Sequence, residues 1–192
     1  MTPTLTAEEV ELALDWEKLH LGGTIITMEQ VELAERVLEF ITDHPEQHNQ
    51  WEWIHAGRDG DQAVMHIEPG DAGIQTAVDC GTSACFAGWT AVLDGHELSE
   101  GDFEVVVDGK DEVGNWAADR LGLPHLSSEP HPFQASNSLR ALRIWVHAMR
   151  LRATMLEIAA KVRPAAVPVP DRVDQILAED AWKRPMARGR RG

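Results

Sequence analysis

The sequence predicts an α+β fold, predominantly helical, in which a central buried helix over 84–93 and a long helix over 138–161 pack with a small antiparallel sheet. Three observations carry this. Apolar residues recur at three- and four-residue steps in the segments 28–43 and 138–161, the period of an amphipathic helix. The segment 84–93 is apolar at almost every position, as in a helix enclosed on several sides. Short β-branched or alternating runs flanked by turn residues mark strands.

The elements follow in order. In "TAEEVELALDW" the Thr6 hydroxyl is placed to accept from the Glu9 backbone while the Glu9 side chain reaches back, a capping box. A short helix from Ala7 to Leu19 follows, broken by Gly22 and Gly23. "TMEQVELAERVLEFITDHP" repeats the device with Thr27 and Gln30. Val31, Ala34, Leu38 and Ile41 share one face of this second helix, widened by Val37 and Phe40, and Pro45 stops it near Asp43. "QHNQWEWIHAGRDGDQ" reads as a loop. "AVMHIE" and "GIQTAVDC" read as strands around the turn "PGDAG", and "FEVVVDGK" as a third.

In "DCGTSACFAGW" Thr82 or Ser83 is expected to cap the central helix, Gly88 to admit another helix closely, and Gly95 to close it. "DEVGNWAADRLGLP" is a helix begun at Asp111 and stopped by Gly122 and Pro124. Ser136 or Asn137 is expected to cap the long helix. Its buried stripe reads Leu139, Leu142, Val146, Met149, Ala153, Leu156 and Ala160. Arg140, Arg143, Arg150 and Arg152 on the other faces are expected to hold the acidic body internally.

A chain of 192 residues accommodates one globular domain over 1–162, a Pro/Ala linker over 163–172, and a short helix with a basic tail over 173–192. A helix as short as the one over 173–182 is marginal alone, so the composition there also fits a disordered end. No apolar run approaches the ~20 residues a membrane span needs, and the acidic N-terminus lacks the order of a secretory signal. The net charge is −15 and unevenly placed. Lys183–Arg191 carries five basic residues, which leaves 12 basic against 32 acidic side chains in residues 1–182. Such a body repels nucleic-acid phosphates and is drawn to basic surfaces, so direct nucleic-acid contact is expected only through the tail.

Several side chains invite chemistry. Cys80 and Cys85, with His44 and His48, supply the ligand types of a zinc site, but the four residues between the thiols exceed the usual tight turn. A cysteine at the start of an apolar helix is commonly a small core side chain. A disulfide between the two is a minority reading in a reducing cytoplasm, where both thiols are expected free. The helix dipole favours a thiolate near a helix N-terminus. "CGTSACFAGW" is also similar to the nucleophile region of papain-like proteases, with one residue inserted, yet no spacing aligns His96, His125, His131 or His147 as its base. No cofactor is expected, and zinc is the alternative. Trp51 and Trp53, two residues apart, would point to one side of an extended segment and form a contact patch.

The ordered set "ITDHPEQHNQ", "CGTSACFAGWTAVLDG", "AADRLGL" and "PFQASNSLRALRIWV" resembles a group of small proteins of actinobacteria and their bacteriophages, over roughly residues 28–150. The acidic stretch 57–79 and the tail after Lys161 depart from the group's pattern. The resemblance implies a helical protein in an actinobacterial or phage setting and transfers no catalytic role. The expected function is therefore non-enzymatic: an acidic accessory protein of the cytoplasm (the host's, if phage-encoded) that binds, and by binding inhibits, a protein partner with a basic surface. Trp51, Trp53, Asp59, Asp61 and Glu68 are the expected contact residues. The alternatives are a small zinc-binding or cysteine-dependent enzyme centred on Cys80 and Cys85, and a structural homodimer.

Overall fold

The capping chemistry at Thr6 and Thr27 sets the first two helices of the computed structural model, which describes residues 5–21, 23–55, 57–59, 62–64, 66–101, 104–124 and 131–162. The linker 163–172 and the segment 173–192, with the basic tail Lys183–Arg191, lie outside the described residues, as do Asp61 and His125. By backbone contacts the chain divides into two units, Met1–Glu157 and Ile158–Gly192; residues 158–162 of the second are described, as the end of a helix.

Helix α1 (Ala7–Trp16) starts with both halves of the capping box formed: Glu9 N donates to Thr6 Oγ1 at 3.3 Å, and Thr6 N donates to Glu9 Oε2 at 2.9 Å. It winds into a π-helical turn, Glu17–Leu21. Helix α2 (Met28–Asp43) carries the same box between Thr27 and Gln30 and ends at His44. Val31, Leu33, Ala34, Val37, Leu38 and Ile41 are its buried face.

The strands are short. Strand β1 (Ile54–His55) pairs antiparallel with β5 (Ser83–Ala84), and β2 (Gly57–Asp59) pairs with β3 (Gln62–Val64) as a hairpin. A four-stranded antiparallel sheet runs β4 (His66–Ile67), β6 (Leu98–Glu100), β7 (Val105–Val107), β8 (Asp111–Glu112). The expected strand over "GIQTAVDC" is instead helix α3 (Asp71–Cys80), closed by Gly81 in the left-handed region. Its alternating Ile74, Thr76 and Val78 imitate a strand. Within this helix Gly73 lies against the Glu68 backbone, where an added Cβ would come within 2.2 Å of the Glu68 carbonyl oxygen.

Helix α4 (Phe86–Leu93) is the central element, with every residue from Phe86 to Val92 buried. It starts at Phe86, not Ala84, because Ser83 and Ala84 are spent in the pairing with β1. It packs with α2 and with α5 (Val113–Leu121), which Gly122 closes in the left-handed region. Helix α6 (Leu139–Val162) is capped by Ser138, whose Oγ accepts from Ala141 N at 3.2 Å, rather than by Ser136 or Asn137. It buries Leu142, Ile144, Trp145, Val146, Ala148, Met149 and Ala153. The expected stripe ends there, since Ala160 is exposed.

The arginines of α5 and α6 bind the acidic body. Arg140 Nε reaches Glu9 Oε1 at 2.9 Å, and Arg150 Nε reaches Glu35 Oε1 at 2.6 Å. Arg152 Nη1 meets the buried Glu17 at 3.5 Å, and Arg120 engages Asp94 and Glu29. Arg143 leaves its buried Nε without a partner among the described residues.

Candidate functional site

The path from Pro45 to Leu93 holds both candidate thiols, Trp51, Trp53 and the candidate ligand His48, and Gln50 organises it. Gln50 is buried. Its Oε1 accepts from Phe86 N at 3.3 Å, and its Nε2 donates to Pro132 O at 3.1 Å and Gln134 O at 3.2 Å. One amide thus fixes the start of α4, the turn before Trp51 and the segment leading into α6. Sequence reading missed it, because a glutamine in a polar loop carries no periodic signal. The fully buried Trp89 adds a second tie, donating from Nε1 to Gln47 O at 2.7 Å.

Around "DCGTSACFAGW" the two thiols part company. Cys85 is the N-cap of α4, in place of the expected Thr82 or Ser83; its sulfur accepts from Gly88 N at 3.4 Å. It is buried, and burial pushes its thiol pKa up to about 12, so no nucleophilic thiolate forms there at neutral pH. Gly88 gives close approach to the Trp53 carbonyl and the Leu98 side chain, 2.7 Å and 3.0 Å from the position of an added Cβ, rather than to another helix. Cys80 ends α3, half-buried, with its sulfur 3.0 Å from Thr82 Oγ1. Both thiols are free.

The expected zinc ligands do not converge. His44 Nδ1 lies 3.1 Å from Phe40 O and its ring stacks on Phe40. His48 Nε2 is bonded to Gln50 Oε1 at 3.0 Å, and burial lowers its pKa. Among the described residues no three His, Cys, Asp or Glu side chains gather to hold a metal ion. The candidate bases are also committed elsewhere. His96 Nδ1 pairs with Asp108 at 2.7 Å, and His131 is buried with Nε2 2.7 Å from Pro124 O. His147 on α6 has its pKa lowered by burial and then by the Arg150 charge. His66 was not among the expected bases. It shares a pocket of about 200 Å³ with Glu68, Gly73, Thr76, Ala77 and Cys80.

The two tryptophans of "QWEWIH" divide between surface and core. The segment is a turn, not extended, so the period-two rule does not apply. Trp53 is half-buried and packs on the core, and its carbonyl accepts from Cys85 N at 3.4 Å. Trp51 is 77% exposed. Asn49 fixes its backbone: Asn49 Oδ1 accepts from Trp51 N at 3.1 Å, and Asn49 Nδ2 donates to Glu52 Oε2 at 3.4 Å. Glu52 in turn binds His55. Asp59 lies on β2 and Glu68, exposed, follows β4.

Among the described residues no helix is long and apolar enough to cross a membrane. No protein-family model, curated protein or solved structure matches the chain.

Proposed function

We propose that this protein is a non-enzymatic, acidic interaction protein that captures a basic macromolecular partner through the turn at Trp51 and the acidic hairpin that follows. The exposed Trp51 carries the reading. An indole left in water forfeits hydrophobic free energy that burial against a partner recovers, and tryptophan is enriched at binding hot spots. The Asn49 contacts hold the Trp51 turn before binding, which lowers the ordering cost. Trp53, two residues on, is anchored on the core.

Charge supports the same reading. The arginines at 120, 140, 150 and 152 are engaged with carboxylates of the fold. Exposed Glu46, Glu52 and Glu68 then offer negative charge to a basic partner, and Asp59 and Asp61 add to it in the sequence between them. The setting we assign is the cytoplasm of an actinobacterium or of its phage-infected cell, with inhibition by occupation of the partner's basic surface. Affinity capture from such a lysate tests it. Trp51→Ala and a charge-reversed Asp59→Lys/Asp61→Lys variant are each expected to lose the partner that the wild type retains. Unchanged capture by both variants overturns the reading.

A second reading places cysteine chemistry at Cys80, favoured by the pocket it shares with His66. Reaction of Cys80 with iodoacetamide at pH 7 much faster than a free thiol would favour this reading over the first. A homodimer, the third, predicts a doubled mass by light scattering.

A further inference from the structure

The exposed face of α5 carries a site of different chemistry. Strand β8 runs directly into α5, and Lys110, Asp111, Glu112, Trp116, Asp119 and Arg120 line most of an open cleft of about 600 Å³. The steps from 112 to 116 to 120, with 119 beside them, place these side chains along one stripe of the helix. Trp116 is half-buried and packs on the core, with the His96 ring edge against it at 4.8 Å. Part of the indole is therefore braced and part faces the cleft.

The cleft's charge is decided by Arg120. Its Nε and Nη2 engage Asp94 at 2.5 Å and 2.9 Å, and Nη2 also meets Glu29 Oε1 at 3.0 Å. Two carboxylates on one guanidinium leave no net positive charge to offer a visitor. Lys110 then stands against Asp111, Glu112 and Asp119, and the cleft is anionic around an aromatic wall. One turn beyond Trp116 the same helix presents its own Arg120 guanidinium to the carboxylates of Glu29 on α2 and Asp94 at the end of α4.

We propose that this cleft receives an arginine side chain presented by a basic partner protein, its guanidinium laid on the Trp116 indole and bonded by Asp111 and Glu112. Arginine suits the cleft better than lysine, because its plane stacks on an aromatic face, its fork meets carboxylates two at a time, and it is more weakly hydrated. The inference rests on the reading that the partner is basic, but it uses a surface separate from Trp51, so the two fail independently.

The test uses the full chain, labelled with ¹⁵N at its tryptophan indoles, and two probes: the peptide acetyl-Gly-Arg-Gly-Arg-Gly-amide and its lysine counterpart. Titrations are run at about 150 mM salt, where loose surface attraction is screened. Trp116→Phe assigns the Trp116 signal. The arginine peptide is expected to shift that signal, to bind about five-fold more tightly than the lysine peptide, and to lose about five-fold in affinity in Asp111→Lys. Asp111 is exposed, so that variant leaves the core intact. Trp51→Ala is expected to bind the arginine peptide unchanged. An unmoved Trp116 signal, equal affinity for the two peptides, or undiminished binding by Asp111→Lys would each overturn the proposal.

Discussion

Cysteine position relative to the helix ends decides the reactivity of this chain. Cys85 has its sulfur enclosed as the cap of α4, whereas Cys80 sits half-exposed at the end of α3. A thiol reagent at pH 8 is therefore expected to modify one cysteine, Cys80, in the native protein and both in denaturant, as read by mass spectrometry; two rapid equivalents in the native state would contradict the burial of Cys85. Gly88 is the other single residue on which the region turns. Gly88→Ala drives a methyl into the Trp53 carbonyl, whose backbone also accepts from Cys85 and so cannot yield freely. A loss of about 1–3 kcal/mol in urea unfolding is expected, and a stability equal to wild type would show that the turn at 51–53 yields readily.

At the scale of elements, the fold depends on polar ties between segments distant in sequence. Gln50 joins α4 to the segment before α6 through three bonds. Gln50→Ala removes the acceptor of the buried Phe86 amide, while the Pro132 and Gln134 carbonyls keep a donor in Asn137, and the expected cost is about 1–3 kcal/mol. Hydrogen exchange locates the damage: amides at the start of α4 and the start of α6 should lose protection together. Loss at α4 alone would mean that Gln50 does not couple the two. The helices with sequence-encoded caps, α1 and α2, were legible because Thr6 with Glu9 and Thr27 with Gln30 are local signals. Helix α3 was not, since its alternating Ile74, Thr76 and Val78 favour the wrong period.

The whole molecule should weaken in mild acid through its partly buried histidines, His48 and His147. Burial lowers the pKa of His48, and burial with the Arg150 charge lowers that of His147, from the ordinary 6.5. The unfolded chain then takes protons that the folded chain refuses, so stability present above pH 6.5 is lost as the pH falls through the folded values. Asp108, bonded to His96 and Glu97 N, has its pKa lowered too and extends the same trend below the carboxylate range. Protonation also relieves repulsion within a chain of net charge −15, an opposing effect. Comparing wild type with His48→Gln isolates the histidine: between pH 7.5 and 5.5 the urea midpoint of wild type should fall more than that of the variant. Equal falls would remove His48 as a cause. Capture of a basic partner is a property at this scale as well, and should weaken as salt shortens the Debye length.

By itself the sequence determined the helical class, the capped starts of α1 and α2, the burial of α4, the glycine stop of α5 and the pairing of Arg140, Arg150 and Arg152 with carboxylates, since each follows from periodicity, local hydrogen-bond chemistry or charge balance. Only the tertiary structure decided that Cys85 and not Thr82 caps α4, that Trp53 turns inward while Trp51 stays in water, and that Cys80 and His66 line one pocket. Those outcomes are set by contacts between residues far apart in the chain, which no window of sequence contains.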